Sequence, residues 1–135
     1  MKVQTLNPIL KYPPDNRIRY LDIDIEDIVV GGTTIHTFNV PLNIATAVSS
    51  LNIIYGSGIG VVVNKSLDDY PDVSYVLNED GTSDLKCILT PEDTLLFKDW
   101  DREATVQLKF VMLDNGTVEY SDIYYLRVLK TLDNK

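Results

Sequence analysis

Nucleophilic catalysis needs a base beside a serine, threonine or cysteine, and this chain holds one histidine, His36, and one cysteine, Cys87. His36 sits in "TTIHTF", a β-branched run, and Cys87 in "LKCIL", an apolar one. Zinc sites take three or four such ligands, so two are too few. A His–Cys pair reaching across two sheets stays open. An ordinary strand histidine and a small buried thiol fit the contexts better, since free cysteine is among the most buried residue types. A single cysteine also rules out an intrachain disulfide. No catalytic, cofactor-binding or metal-ligating residue is assigned on this basis, and the expectation is a protein that is not an enzyme.

Other chemistries leave weaker traces. Glycines alternate at 56, 58 and 60 in "GSGIGVVV". A phosphate loop would need a closing Gly-Lys-Ser/Thr, and the run into valines reads instead as a turn with a bulge. The acidic bend "NEDGTSD" has Asp80, Gly81 and Asp84 but lacks the EF-hand ligand order and its final glutamate. "LDDYPD" and "DWD" read as solvated surface. Glycoside hydrolysis needs two carboxylates facing each other across a cleft, which a domain of this size rarely forms. Eight tyrosines and one tryptophan raise carbohydrate binding through exposed aromatic rings. Trp100, flanked by charges in "KDWDRE", is the candidate; Tyr120, Tyr124 and Tyr125 read as core and rim packing with the hydroxyl at the edge.

The 135 residues suit one domain with a single core. Hydrophobic residues at 44% and charged ones at 24% are ordinary for a globular protein. The net charge of −8 opposes binding to nucleic acid, whose phosphates call for a basic face, and to anionic membranes. It leaves room for a basic protein partner or divalent cations. No apolar run reaches the roughly 18 residues of a membrane helix. The start "MKVQTLNPIL" lacks the apolar region of a signal peptide. The expected location is a cytoplasm, or a particle assembled there.

The elements that position these residues alternate with period two. Residues 1–17 hold three of the six prolines, and Pro13–Pro14 enforces an extended path. This stretch reads as an arm, with Pro8, Tyr12, Pro13 and Pro14 as candidate interaction residues, and residues 18–135 as the domain. "IRYLDIDIED" places Leu21, Ile23 and Ile25 on one face and Asp22, Asp24 and Glu26 on the other. Gly31–Gly32 signals a hairpin turn. In the strand Thr33–Val40 that follows, His36, Phe38 and Val40 face one way and Ile35, Thr37 and Asn39 the other. "LNIATAVSS" leaves room for a helical turn. "LNIIYGSGIGVVVNKSL" gives two strands, as do "VSYVL" and "SDLKCIL" around "NEDGTS". "TVQLKFVML" puts Val106, Leu108, Phe110 and Met112 on one face, and "DNGT" is a hairpin turn suited to positive φ. The returning strand slips in parity near Ser121–Asp122, where a bulge would repair the register. About seven or eight short strands predict an all-β fold, an immunoglobulin-like antiparallel β-sandwich, with a small barrel as the alternative.

"LTPEDTLLFKDW", residues 89–100, departs from this alternation. Thr90 suits an N-cap and Pro91 the first helical position. Glu92 and Asp93 place negative charge at the positive end of the turn, and Asp93 completes an approximate capping box. Leu95, Leu96 and Phe97 are expected to pin the turn to the sandwich, making residues 90–97 a helical crossover between sheets. The "PEDT" corner is similar to one in antibody variable domains, but the tyrosine and cysteine that follow there are absent here.

A second resemblance covers residues 89–132, about a third of the chain. Leu89, Thr90, Asp93, Thr94 and Phe97, then Gln107–Leu108, Asn115–Gly116, Ser121, Ile123 and Val128, resemble the C-terminal half of small β-sandwich proteins encoded by tailed bacteriophages. "LDIDIEDIVVGGTTIHTFNVPL" is similar only loosely. The resemblance implies a non-enzymatic virion structural role, decorating a capsid or joining a tail or baseplate, with other virion proteins as partners and a homo-oligomer as an option. It brings no catalytic residues and no cofactor. The rival is a carbohydrate-binding module for host attachment, using Trp100 and edge tyrosines.

Overall fold

The computed structural model describes residues 21–58, 60–98 and 101–131. The arm at 1–17, with Pro8, Tyr12, Pro13 and Pro14, lies outside the described residues, and so does Trp100. Among the described residues ten strands follow one another: β1 (Asp22–Asp24), β2 (Ile28–Val29), β3 (Thr34–Val40), β4 (Val48–Ser57), β5 (Gly60–Ser66), β6 (Val73–Leu77), β7 (Ser83–Leu89), β8 (Glu103–Met112), β9 (Val118–Tyr120) and β10 (Tyr124–Leu129). Two one-turn helices interrupt them, α1 (Ile44–Ala47) before β4 and α2 (Pro91–Thr94) between β7 and β8. Ten strands arise where seven or eight were expected because the first and last runs each break in two.

The strands form two sheets. One has the order β1-β3-β7-β6; the other has the order β2-β10-β8-β4-β5, with β9 also on β8. Named as in immunoglobulin domains, the first is A-B-E-D and the second G-F-C with an added C′ strand, β2 lying parallel along the free edge of G. All pairings are antiparallel except β2 with β10, which run parallel. That pairing corrects one expectation. The Gly31–Gly32 turn joins no hairpin, since β2 belongs to the second sheet and β3 to the first. Gly31, with φ 84°, takes the left-handed conformation that glycine accepts most easily as the chain changes sheets.

Inward positions follow the expected parity. Phe38, Val40, Leu85, Cys87 and Leu89 face Leu51, Ile53, Tyr55, Val106, Leu108 and Phe110, all fully buried. In the β4–β5 hairpin the register shifts at Tyr55/Gly56, the bulge that the alternating glycines announced. A Cβ at Gly56 would lie 3.1 Å from the Gly60 carbonyl oxygen and 3.2 Å from Thr105 Oγ1, so the close approach favours glycine there. Gly116, at φ 72°, closes the β8–β9 turn.

The corner at α2 forms as its sequence dictates. Asp93 N–H donates to Thr90 Oγ1, and Thr90 N–H donates to Asp93 Oδ2, a complete capping box. Thr94 is buried; its hydroxyl donates to the Gly32 carbonyl and accepts from Gly31 N–H, tying α2 to the turn between β2 and β3. Phe97 enters the core at 2% exposure, but Leu95 and Leu96 stand 54% and 52% exposed. The expected apolar triplet is therefore a single anchor. One turn of helix faces the sandwich over too short an arc to bury three consecutive side chains.

Candidate binding face

His36 on β3 and Cys87 on β7 are register partners in one sheet, rather than facing each other across two. Tyr55 reaches in from the opposite sheet, its hydroxyl 2.9 Å from His36 Nδ1, while His36 Nε2 lies 2.8 Å from the Glu26 carbonyl oxygen. A carbonyl only accepts, so Nε2 carries the proton and Nδ1 accepts from the tyrosine. Burial holds the His36 pKa below its ordinary value of 6.5, against the opposing pull of Glu26, and keeps the ring neutral. The Cys87 thiol interacts with the same tyrosine hydroxyl, and burial pushes its pKa up to about 11. Burial likewise raises Tyr55 well above its ordinary value of 10.0. The three groups form a neutral, closed hydrogen-bonded cluster with no face open to a substrate, and the thiol is the inert buried group that its sequence context suggests.

A second polar cluster closes one side of the sandwich. Lys65 points inward from the edge strand β5 beside Val63. Its ammonium meets Asp93 Oδ2 at 2.6 Å and Asp72 Oδ2 at 3.0 Å. Burial pulls its pKa down, but hydrogen bonds to the two carboxylates outweigh this and leave it raised. Burial pushes Asp93 up; its bonds to Lys65 and Thr90 prevail and leave it lowered. Period-two parity already places Lys65 on the same face as Val63, a signal that the sequence reading passed over.

Several other carboxylates are occupied in local structure. Asp80 accepts from Thr82 N–H and Oγ1, Asp69 from Ser66 N–H, and Asp101 from Lys98 N–H. Asp27 takes two bonds from the Arg127 guanidinium and one from its backbone, bringing its pKa below 3.8. Among the described residues no group of three or more His, Cys, Asp or Glu is placed to hold a metal.

What remains is a surface. Between β9 and β10 the chain makes a step. Tyr120 lies opposite Lys109 and Tyr124 opposite Val106, so four residues advance on one strand against three on β8. Ser121 fills the step: its hydroxyl accepts from Leu108 N–H, its own N–H donates to the Leu108 carbonyl, and its carbonyl accepts from the Gln107 amide. This is the bulge that the parity slip predicts. Its consequence was not anticipated. The extra residue brings Val118 and Tyr120 from β9 onto the same outward face as Ile123 and Tyr125, with exposures of 48%, 48%, 47% and 65%. The tyrosines therefore divide. Tyr124 is half-buried and accepts from Leu21 N–H, while Tyr120 and Tyr125 stand out from the sheet and not in the core or rim.

Around this stripe the middle of the second sheet's outer face carries uncharged side chains. Outward residues on β8 and β4 include Glu103, Thr105, Gln107, Lys109, Asn52 and Ile54; Lys109 lies toward one end, and Glu103, opposite the outward Arg127 of β10, lies at the other. Asn52 and Asn64 bond to each other across β4 and β5. The first sheet's outer face differs, carrying Asp22, Asp24, Asp84 and Lys86.

Neither a scan against protein-family models nor a search of curated proteins returns a match for this chain.

Proposed function

We propose that the chain is a non-enzymatic β-sandwich module that works by protein–protein contact, as a virion structural component of a tailed bacteriophage. The observation that carries the contact role is the exposed stripe of Val118, Tyr120, Ile123 and Tyr125 on a face whose charges, Lys109 and the Glu103–Arg127 pair of register partners, lie away from its middle, in a molecule of net charge −8. Contiguous exposed apolar surface on a globular domain marks an interaction site, and tyrosine is enriched where such sites bind. The phage assignment rests on the resemblance over residues 89–132, whose Thr90, Asp93, Thr94 and Phe97 all have structural duties at the α2 corner. Particles purified from the source virus should carry the chain at a fixed ratio to their major proteins. Finding it only among soluble proteins overturns the assignment. A chain lacking residues 2–16 should fold yet fail to join particles, and normal incorporation removes the arm from this reading.

The exposed pair Tyr120 and Tyr125 also favours a second reading, a glycan platform for host attachment. Trp100 fluorescence titrated with a panel of cell-wall glycans tests it. Saturable binding lost in Tyr120→Ala and Tyr125→Ala supports the platform, and a flat response across the panel removes it.

A further inference from the structure

The two outward tyrosines of the second sheet are placed symmetrically about Gln107, and one step further out Val118 beside Val111 at one end answers Arg127 beside Glu103 at the other. On one side of it Tyr120 stands beside Lys109; on the other Tyr125 stands beside Thr105. At the level of Gln107 itself lie Ile54, its register partner on β4, and Ile123, one residue before the Tyr124–Val106 pair. We propose that this face binds a second copy of the same chain, outer face to outer face, about a two-fold axis that crosses the strands at Gln107.

Such an axis places Tyr120 of one copy over Tyr125 of the other, and Ile123 and Ile54 over their own counterparts. Lys109 meets Thr105, so the two ammonium groups stand at opposite ends, roughly 14 Å of strand rise from one another. A closed two-fold interface needs this self-complementarity. Charge selects the same face. Two molecules that each carry −8 repel, and the first sheet's outer face would oppose Asp22, Asp24 and Asp84 to their equivalents, whereas the middle of this one opposes tyrosines and isoleucines, and its Glu103 and Arg127 at one end face Val111 and Val118 and not their own counterparts. Area suffices as well. Four strands spaced about 4.8 Å apart and a central strand rising about 3.4 Å per residue give a face on the order of 600 Å² in projection. Its accessible surface then approaches the roughly 800 Å² that each partner contributes to a standard interface. The inference goes beyond the proposed function, because self-association through this face does not depend on what else the chain binds.

Sedimentation velocity of the full chain over about 1–300 µM, the range of modest interfaces, tests the proposal together with site-specific cross-linking. The wild type should pass from monomer to dimer in this range. Tyr125→Arg, at a 65% exposed position, should weaken dimerisation at least tenfold, as loss of an aromatic anchor does. Ile35→Lys, on the other sheet's outer face, should leave it unchanged. Ile123→Cys should give a covalent dimer with a short bis-maleimide, since the axis brings each Ile123 beside its counterpart, while Ile35→Cys and the wild type, whose Cys87 is fully buried, should not. Circular dichroism on each variant confirms folding. A wild type that stays monomeric, a Tyr125→Arg that dimerises equally, or equal cross-linking through Ile35→Cys overturns the proposal and leaves particle incorporation as a separate question.

Discussion

Tyr55 satisfies two partners from the opposite sheet with one hydroxyl: it donates to His36 Nδ1 on β3 and meets the Cys87 thiol on β7. It occupies the middle of the sandwich with no exposed surface. Phenylalanine in its place keeps the ring and its packing but leaves His36 Nδ1 without a donor in a site that water does not reach. Leaving a buried acceptor unsatisfied costs about 1–3 kcal/mol. Tyr55→Phe should therefore lower unfolding stability by about that amount, with an unchanged denaturant slope, because the surface exposed on unfolding is the same. Urea titration followed by circular dichroism measures both quantities. A change under about 0.3 kcal/mol, within the spread of neutral substitutions, would mean that the ring alone holds the two sheets. The His36 and Cys87 contexts were legible from sequence as buried strand residues, because alternation fixes which way a strand residue points. Their mutual placement was not, because it depends on which strands become neighbours.

At the scale of elements, α2 carries two loads through one side chain. Asp93 completes the capping box with Thr90 and receives the Lys65 ammonium, which also binds Asp72, so the helix turn, the edge strand β5 and the β5–β6 loop meet at a single ammonium. Removing each partner should give unequal losses. Lys65→Met deletes the charge and keeps much of the apolar stem; the two carboxylates it leaves behind are 19% and 33% exposed and stay partly hydrated. About 1–2 kcal/mol is the expected loss, below the 3–5 kcal/mol typical of a fully buried pair. Asp93→Ala loses the cap as well, which alone is worth roughly 1 kcal/mol, and strips one of two anions from a largely buried ammonium. It should cost about 2–4 kcal/mol. Equal losses in a urea titration would show that the cap contributes nothing beyond the ion pair. The cap was spelled out in Thr90-Pro91-Glu92-Asp93, since capping is a local interaction that sequence order fixes. The step at Ser121 was legible for a similar reason, as a break in parity. The sheet change at Gly31–Gly32 was not, because two adjacent glycines suit a hairpin and a crossover equally and only the distant strand β10 decides. The face that the step creates went unseen because a bulge was read as a repair of the core, whereas its other effect is to align Tyr120 with Tyr125 on the outside.

For the molecule as a whole, the shifted groups define a plateau of stability bounded on both sides. His36 has a folded pKa below 6.5, so the unfolded chain binds its proton first. Its contribution is complete above about pH 6.5 and declines as pH falls, at up to roughly 1.4 kcal/mol per pH unit for one proton. Asp27, Asp80 and Asp93 are lowered from 3.8; the stability they add is present above that value and is lost as pH falls through it. On the alkaline side, Cys87 and Tyr55 are raised from 9.0 and 10.0, so the unfolded chain releases their protons first and stability falls as pH rises past about 9. Lys65, raised from 10.5, adds to that loss as pH climbs through its folded value. The sum predicts a flat region between about pH 6.5 and 9. Net charge pulls the other way on the acid side: a molecule at −8 loses self-repulsion as its carboxylates take up protons, which on its own would raise stability between pH 7 and 5. Salt separates the two effects, because it screens repulsion between exposed charges and barely reaches a histidine with no exposed surface. Unfolding stability measured from pH 5 to 8 should therefore fall toward pH 5 more clearly at about 0.5 M salt than at low ionic strength. A stability maximum near pH 5 that persists in salt would show that His36 takes up its proton in the folded state without loss, and that its bonds to Tyr55 and Glu26 rearrange to accept it.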